Sequence, residues 1–454
     1  MTGDRKVLVV AESANPEWVS VPLQAWFIVD ALRQEVDAHI VTQVRNREAF
    51  LRAGLIEGED FTAIDNEHVA GPLFKLGRLL GAAGGKGYTI GTALSALAYP
   101  SFERMVWDRF GDDLRAGRFD IVHRVTPRTP TASGPLARLC DDAGVPFVLG
   151  PINGGLPWPR GYERVRWQER DFLSYFRSAY KLLPTRSGTL SAASLIMCGS
   201  RATMSEIPRK FADKTVYVEP NGVDRGRFFK RTTQAGASAD GPLRACFVGR
   251  IVPYKCPDLL LDACEPFFRE GRLHLTFVGD GPFRATLEAQ VARMGIGDHV
   301  RFTGNLPHDG VQDILAESEI LAFPSIREFG GAVILEAMSV GVVPLVVDYG
   351  GPGEFVSDDT GFRIPIAPPD QLRTALRERM GEILANRDLL PAYSQRALAS
   401  IEERFLWSSI AQKICRNYEA VLAARATTGG TPGSPVFEPA QRQERLPVNP
   451  DKTH

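Results

Sequence analysis

Charge of one sign is the first thing this sequence lacks. Its 53 Lys and Arg stand against 54 Asp and Glu in 454 residues, a formal net charge of −1. No global field therefore singles out nucleic acid as a partner. Cysteine is scarce: there are six, at positions 140, 198, 246, 256, 264 and 415. They show no metal-ligand spacing, and most lie in apolar stretches, as reduced core thiols do. No apolar run reaches the roughly 20 residues of a membrane span, and the opening MTGDRKVLVVAES holds too short an apolar run for a signal peptide. Asp-x-Asp pairs are missing as well, so no metal-binding carboxylate motif is found and no metal ligand is expected. The expected location is the cytoplasm, with peripheral contact at the inner membrane face as an extension of that expectation.

What remains has the composition of a globular protein, 44% hydrophobic and 24% charged, long enough for two ordinary domains. The most informative stretch runs from Phe323 to Glu354, FPSIREFGGAVILEAMSVGVVPLVVDYGGPGE. An apolar run, Ile320–Phe323, reads as a buried strand, broken by Pro324 and Ser325. Gly330 and Gly331 open an apolar helix, Ala332 to Val340, which Gly341 closes. Val342–Val347 reads as the next buried strand, ending before Gly350-Gly351.

Bare glycine amides at a helix start stabilise an anion such as a diphosphate. Glu336 lies mid-helix in an apolar sequence, where an unpaired carboxylate is costly to bury. Hydrogen bonds from a pair of hydroxyls, as on a ribose, would satisfy it. Glu328, in the preceding loop, could accept from the hydroxyls of a second sugar. Taken alone, the Glu–Glu spacing favours a structural glutamate on an ordinary βαβ helix.

Further motifs stand upstream in order: Glu219-Pro-Asn-Gly-Val-Asp224, Phe247-Val-Gly-Arg-Ile-Val-Pro-Tyr-Lys255 and Phe277-Val-Gly-Asp-Gly-Pro282. Together with the Phe323–Glu354 stretch, this series resembles the retaining glycosyltransferases of family four, the group 1 type. The resemblance covers most of residues 216 to 365. It implies the α/β GT-B fold: two Rossmann-like parallel-sheet domains facing across a cleft, with a C-terminal helix crossing back to the first. It implies a nucleotide-diphosphate sugar as co-substrate and no cofactor. The donor site it implies consists of Gly249, Arg250, Lys255, Asn305, Leu306, Glu328, Phe329, Gly330, Gly331, Ala332 and Glu336. Arg250 and Lys255 would meet the phosphates and Asn305-Leu306 the base through backbone groups, with Arg250, Lys255 and Glu328 also serving catalysis.

Domain limits follow from the pattern. Residues 1–215 are expected as the first domain, 216–404 as the second and 425–454 as a disordered tail. The resemblance implies that the first binds the acceptor, the second the nucleotide sugar, and that 405–424 is the crossing helix. In the first domain Lys6–Ala11 opens as an apolar strand, and a helix with Pro22 in its first turn runs to about Leu32. Ala38–Thr42 is a second strand, 71–95 is helix and loop of unsettled order, and Pro100–Leu114 is one helix with its proline in the first turn. Asp120–His123 ends a strand where ligands bind in such sheets, and Arg124 and Arg128 place two cations at the expected cleft mouth.

Family members often carry His-x-His at this point. Here His123 stands first and Val125 takes the second place, so His123 is expected either as a catalytic group or as a strand-end histidine satisfied by backbone. Pro146–Gly150 is a strand leading into GPINGGLPWP. There Asn153, Gly154 and Gly155, with Arg124, are expected on the acceptor or sugar side. Ser194–Cys198 is expected as the last strand of the domain. The loop from Ser13 to Pro22, SANPEWVSVP, has no glycine, although many relatives close a Gly-Gly pair over the donor phosphates there.

Between Arg160 and Arg186 seven Lys/Arg and three Asp/Glu interleave with Trp167, Phe172, Tyr175, Phe176 and Tyr180. That mixture suits a membrane interface, but suits better an amphipathic helix with aromatics inward. Residues 232–242 read as a linker. In the second domain, strands at Leu243–Val248, Leu273–Val278, Val300–Phe302, Ile320–Phe323 and Val342–Val347 alternate with helical patterns, as in a right-handed parallel sheet. Pro368–Ala399 reads as two closing helices.

The expected activity is retaining, metal-independent transfer of a sugar to a glycan or polyprenyl-diphosphate-linked acceptor in bacterial surface or exopolysaccharide synthesis. Competing readings are a GT-B nucleotide-sugar epimerase, a phosphorylase and a non-catalytic nucleotide-sugar-binding protein. Val125 and the glycine-free first loop favour the last of these. The presence of Arg250, Lys255, Glu328 and Glu336 together weighs against it.

Overall fold

Among the described residues thirteen short strands form two parallel sheets. The computed structural model describes residues 5–79, 88–130, 132–169, 184–224, 226 and 241–427. Among these, one compact unit takes residues 5–155, 184–220 and 407–427, and the other takes 156–169 and 221–406.

The first unit holds β1 (Lys6–Ala11), β2 (Asp37–Gln43), β3 (Phe61–Ile64), β4 (Ile121–Thr126), β5 (Phe147–Ile152), β6 (Leu195–Cys198) and β7 (Thr215–Tyr217). Their order is β3-β2-β1-β4-β5-β6-β7, parallel throughout. Ser194–Cys198 is thus not the last strand: β7 continues the sheet. Apolar clusters lie on both faces, which explains why β1 reads as an almost unbroken apolar run. Pro100 is not in a first turn either. It sits inside one helix, Tyr88–Arg115, which tolerates the missing N–H at that position.

The second unit holds β8 (Leu243–Val248), β9 (Leu273–Val278), β10 (Val300–Gly304), β11 (Ile320–Phe323), β12 (Val343–Asp348) and β13 (Phe362–Pro365), in the order β10-β9-β8-β11-β12-β13. Strand order reverses between β8 and β11, which leaves a crevice beyond their carboxyl ends. One core cluster packs around this sheet, and helices Pro369–Ala385 and Leu390–Ser400 close it.

The last described helix, Trp407–Thr427, belongs to the first unit. Ile410, Ile414, Tyr418 and Val421 join Trp26, Ile28 and Val29 in its core. Trp407 stacks on Phe27 with ring centroids 5.4 Å apart, Arg5 pairs with Glu419 at 3.2 Å and Lys413 with Glu219 at 2.9 Å. The expected crossing helix is therefore present.

The stretch 156–169 departs from the expected division, because it packs with the second unit. Within it, Tyr162 is buried in that unit's core and Trp158 and Val165 lie against it. Of the basic, aromatic 160–186 segment, residues 170–183 fall outside the described residues, and Trp167 is 70% exposed. The linker reading of 232–242 lies outside them up to residue 240, and the tail reading of 425–454 lies outside them from residue 428 on. Among the described residues no helix is long and apolar enough to cross a membrane. All six cysteines are buried and free.

Candidate functional site

The crevice at the β8–β11 reversal is a cleft in two contiguous parts. The larger, about 600 Å³, is lined by Gly249, Arg250, Asp280, Pro282, Asn305 and Leu306 among others. The smaller, about 220 Å³, is lined by Lys255, Phe323, Glu328, Gly331, Ala332 and Glu336 among others, and shares Gly249 with the larger.

Local sequence explains how these groups converge. Strand β8 ends at Val248, and Gly249 turns the chain with φ 142°, a conformation that L side chains rarely adopt. A Cβ there would also stand 2.8 Å from the Lys255 ammonium. Pro253–Lys255 forms a short 3₁₀ turn that holds Lys255 nearly buried, while Arg250 stays exposed. After β11, an irregular loop carries Glu328 to the start of helix Ala332–Ser339, where Gly331 caps the helix in the left-handed region with φ 48°. Asn221 Nδ2 donates to the Gly330 carbonyl at 2.6 Å, fixing the loop just ahead of that cap.

Electrostatics divides the cleft. The Lys255 ammonium pairs with Glu328 Oε2 at 3.3 Å and lies over the Phe323 ring, 4.7 Å from its centroid. Phe323 continues into a layer of rings: Phe247 at 5.9 Å, Phe277 5.3 Å from Phe247, and Phe302 stacked on Phe277 at 5.0 Å. Glu328 Oε2 is buried and makes no hydrogen bond, so its accepting capacity is not used up by the ion pair. Glu336, four residues into the helix, is partly exposed and lines the smaller pocket. Burial pushes its carboxyl up to about 7. One end of the cleft thus offers two cations and a helix start to an anion, and the floor offers a carboxylate suited to neutral hydroxyls.

Of the residues expected from sequence, Gly249, Arg250, Lys255, Asn305, Leu306, Glu328, Gly331, Ala332 and Glu336 line this cleft. Phe329 and Gly330 do not; they form the loop behind it, where Gly330 accepts from Asn221 and the Phe329 carbonyl closes on Gly351. Asp280, Gly281, Pro282, Val311 and Val333 also line the cleft without having been singled out. The Gly-Asp-Gly-Pro turn after β9 carried the signal for the first three, because such a turn brings backbone to a strand end. Among the described residues no three His, Cys, Asp or Glu side chains gather to hold a metal ion.

The first unit gives a different answer for its expected site residues. His123 lies within β4, wholly buried. Its Nε2–H donates to the Gly150 carbonyl at 2.7 Å, which leaves Nδ1 to accept from the Tyr418 hydroxyl at 2.6 Å. Burial pulls its pKa down to about 4, so the ring is neutral. Neither nitrogen is left for a substrate. The catalytic reading of His123 gives way to a structural one, a tie between β4 and the crossing helix.

Arg124 is corrected likewise. It is 1% exposed, paired with Glu103 at 3.2 Å and donating to the Ala132 carbonyl at 3.0 Å. Arg128 donates to Gln24 Oε1 and to the Pro151 and Pro220 carbonyls, and burial lowers its pKa to about 10. These cations are buried and turned to Glu103, Gln24 and backbone carbonyls rather than to a cleft mouth, although Arg124 Nε makes no hydrogen bond. The Gly154 amide donates to Thr203 Oγ1 at 2.8 Å and the Gly155 amide to Asn153 Oδ1 at 3.4 Å, so this turn is braced within the protein.

Comparison with known proteins bears on both units. Residues 229–398 match the family model described as glycosyl transferases group 1. The chain is 30% identical over 230 residues to the D-inositol 3-phosphate glycosyltransferase of Nocardia farcinica, covering 47% of this chain and 50% of that protein. It is 29% identical over 234 residues to the phosphatidyl-myo-inositol mannosyltransferase of Mycobacterium tuberculosis, covering 50% of this chain and 61% of that protein. The matches thus span about half the length of these curated relatives. Anabaena HepE, whose crystal structure is a complex with UDP, is 16% identical over 91% of this chain and 99% of its own, with a TM-score of 0.58. That likeness shows the fold, two Rossmann-like parallel-sheet domains of the GT-B kind.

Proposed function

We propose, from the match of residues 229–398 to the group 1 glycosyltransferase model, that the chain transfers a sugar from a nucleotide-diphosphate sugar to a glycan or lipid-linked acceptor. The observation that carries this reading is the joint placement of Lys255, Glu328, Gly331 and Glu336 around one pocket that opens onto Arg250. Such a set matches a ligand with a diol, a diphosphate and a second polyol in sequence.

Glu336 takes the ribose hydroxyls, for which an ionised carboxylate is the better acceptor. The diphosphate lies between Arg250, Lys255 and the Gly331 helix start, which act where negative charge grows as the leaving group departs. Glu328 holds Lys255 in place and uses its spare lone pairs on the transferred sugar. In the step itself the C1–O bond to the diphosphate breaks as the acceptor oxygen bonds C1 on the same face, through an oxocarbenium-like state. The acceptor proton passes to the departing phosphate oxygen, so charge and protons balance and the anomeric configuration is retained. Two fixed cations and a helix dipole supply the positive charge that a metal ion would otherwise bring, which supports a metal-independent reaction.

UDP is the first nucleotide to test, since HepE is known with UDP and with UDP and glucose. The acceptor class is a sugar or polyol, free or borne on a lipid diphosphate, and the setting is surface or exported glycan synthesis at the inner face of the membrane. The names of the two curated relatives, which mention an inositol phosphate and a phosphatidylinositol, support a polyol acceptor.

Calorimetric titration with UDP-, GDP- and ADP-linked sugars, in chelator and without added metal, tests the donor site. Binding of one of them, lost in Glu336→Ala, is the expected outcome. Absence of binding by all would replace this reading with a non-catalytic one, and a strict requirement for added metal would remove the metal-independent step.

A further inference from the structure

The motif GGLPWP does more than turn the chain. Past Gly155 it lies as a strap, residues 156–162, against the loop that carries Glu328. The Leu156 carbonyl accepts from Arg327 Nε at 3.2 Å, and the Arg327 guanidinium lies over the Trp158 ring, 4.7 Å from its centroid. The Pro157 carbonyl accepts from the Tyr349 hydroxyl at 2.9 Å. The buried Leu156 side chain fills the space above Gly350 so closely that no Cβ would fit there. Farther on, Tyr162 is sunk in the core and donates to the Ala367 carbonyl at 2.9 Å, so the strap is anchored at both ends.

Two loops are thereby held by one strap. Arg327 is the neighbour of Glu328, and Tyr349-Gly350 precedes Gly351, whose amide donates to the Glu328 carbonyl at 3.1 Å. Residues 324–331 have no regular secondary structure. Their position depends on such outside contacts rather than on a helix or strand ladder. None of the strap residues lines the nucleotide end of the cleft at Asp280, Asn305 and Leu306.

We propose that the strap Leu156–Trp158, through its latch on Arg327, is a positioning element that sets Glu328 against Lys255 and so governs handling of the transferred sugar rather than binding of the nucleotide. The proposal rests on the donor reading above. Trp158 and Arg327 touch no reacting atom; they act through Glu328. Their loss lets the loop sample positions in which Glu328 no longer meets both the lysine and the sugar, and small misplacements of that kind are costly to a reaction.

The test uses the full chain with UDP and UDP-glucose as probes, or GDP and GDP-mannose if wild type binds those instead. Release of nucleotide diphosphate is measured at saturating donor, and the Kd of the bare diphosphate by calorimetry. In Trp158→Ala the rate should fall about tenfold, as expected for losing a stacked cation and a fixed loop, while the Kd of UDP shifts less than about twofold. Trp158→Phe should restore most of the rate, because a ring still lies under the guanidinium. Arg327→Gln should match Trp158→Ala, and the double variant should be no slower than either, since both break one latch.

Equal losses in rate and in UDP binding would make the strap merely structural and overturn the proposal. An unchanged rate in both single variants would overturn it too, as would a Trp158→Phe variant as slow as Trp158→Ala. If wild type bound neither diphosphate, the donor reading itself would fall, an outcome distinct from the others.

Discussion

Both units place cations where parallel strands end, yet only one leaves them open to a ligand. In the first unit Arg124 and Arg128 are buried, with Glu103, Gln24 and backbone carbonyls taking their hydrogen bonds. In the second, Arg250 is exposed on the cleft, and Lys255 meets a carboxylate with accepting capacity to spare. The difference lies in the partners, not in the strand ends. A charge at the mouth of a sheet is functional only where the protein has not already answered it.

That contrast can be broken or sharpened experimentally. The largest effect is expected in the first unit: Glu103→Ala strands Arg124 in the core and should cost about 3–5 kcal/mol of stability. Denaturant unfolding would measure it, and a loss below about 1 kcal/mol would mean that Arg124 behaves as a solvated surface cation. Next comes Arg250→Ala, which should slow turnover about a hundredfold, roughly 2.7 kcal/mol of transition-state stabilisation, while the unfolding midpoint stays put. Turnover near that of wild type would sink the phosphate role of this arginine.

Glu336→Gln should separate stability from binding. The folded carboxyl titrates at about 7 against 4.5 for the free group. The folded state therefore holds the proton more tightly, and this contribution to stability is full below about pH 4.5 and lost as pH rises through 7. The glutamine variant, which never has to ionise, should be up to about 2 kcal/mol more stable at pH 8 and no more stable at pH 4.5, allowing for partial exposure. Its donor affinity should drop, and the rise of wild-type affinity from pH 6 to 8 should flatten. Stability equal at both pH values would show that Glu336 is well solvated.

The smallest effect belongs to Tyr418→Phe, which removes the donor to His123 Nδ1 and should cost about 1 kcal/mol without changing turnover per folded molecule. His123 titrates at about 4 in the fold against 6.5 when free, so its contribution is present above pH 6.5 and lost as pH falls through 4. A change in kcat with unchanged stability in this variant would return the histidine to the active site.

These cases also mark how far the sequence could be read. Strands β8, β9 and β11 were legible to the residue, because each is mostly apolar, unbroken in β11 and interrupted in β8 and β9 only by Arg244, His274 and Thr276, with a turn signal behind it. Strands β3, β7 and β13 escaped, being three or four residues long and partly exposed at or near sheet edges, with no run to mark them. That most of the expected donor-site residues line one cleft was legible because they cluster in three short motifs. Arg124 was misjudged because its partner, Glu103, sits on a separate helix 21 residues away, and nothing in the local pattern announces it. The strap was misplaced for a similar reason. Nothing in its local pattern indicates that Arg327 and Tyr349, some 170 and 190 positions on, would receive it.

The layer of phenylalanine rings under the cleft has one more consequence, for the response to salt. Rings admit neither water nor small ions, so the Lys255 ammonium above Phe323 can be neutralised from one side only, the side facing Glu328 and the proposed diphosphate site. Dissolved ions weaken open pairs such as Arg115–Asp112 readily, but they reach a charge with a sealed underside far less. Grip on the diphosphate should thus fade more slowly with ionic strength than that of a surface patch carrying the same charge. The aromatic floor is insulation for the lysine as much as it is core for the fold.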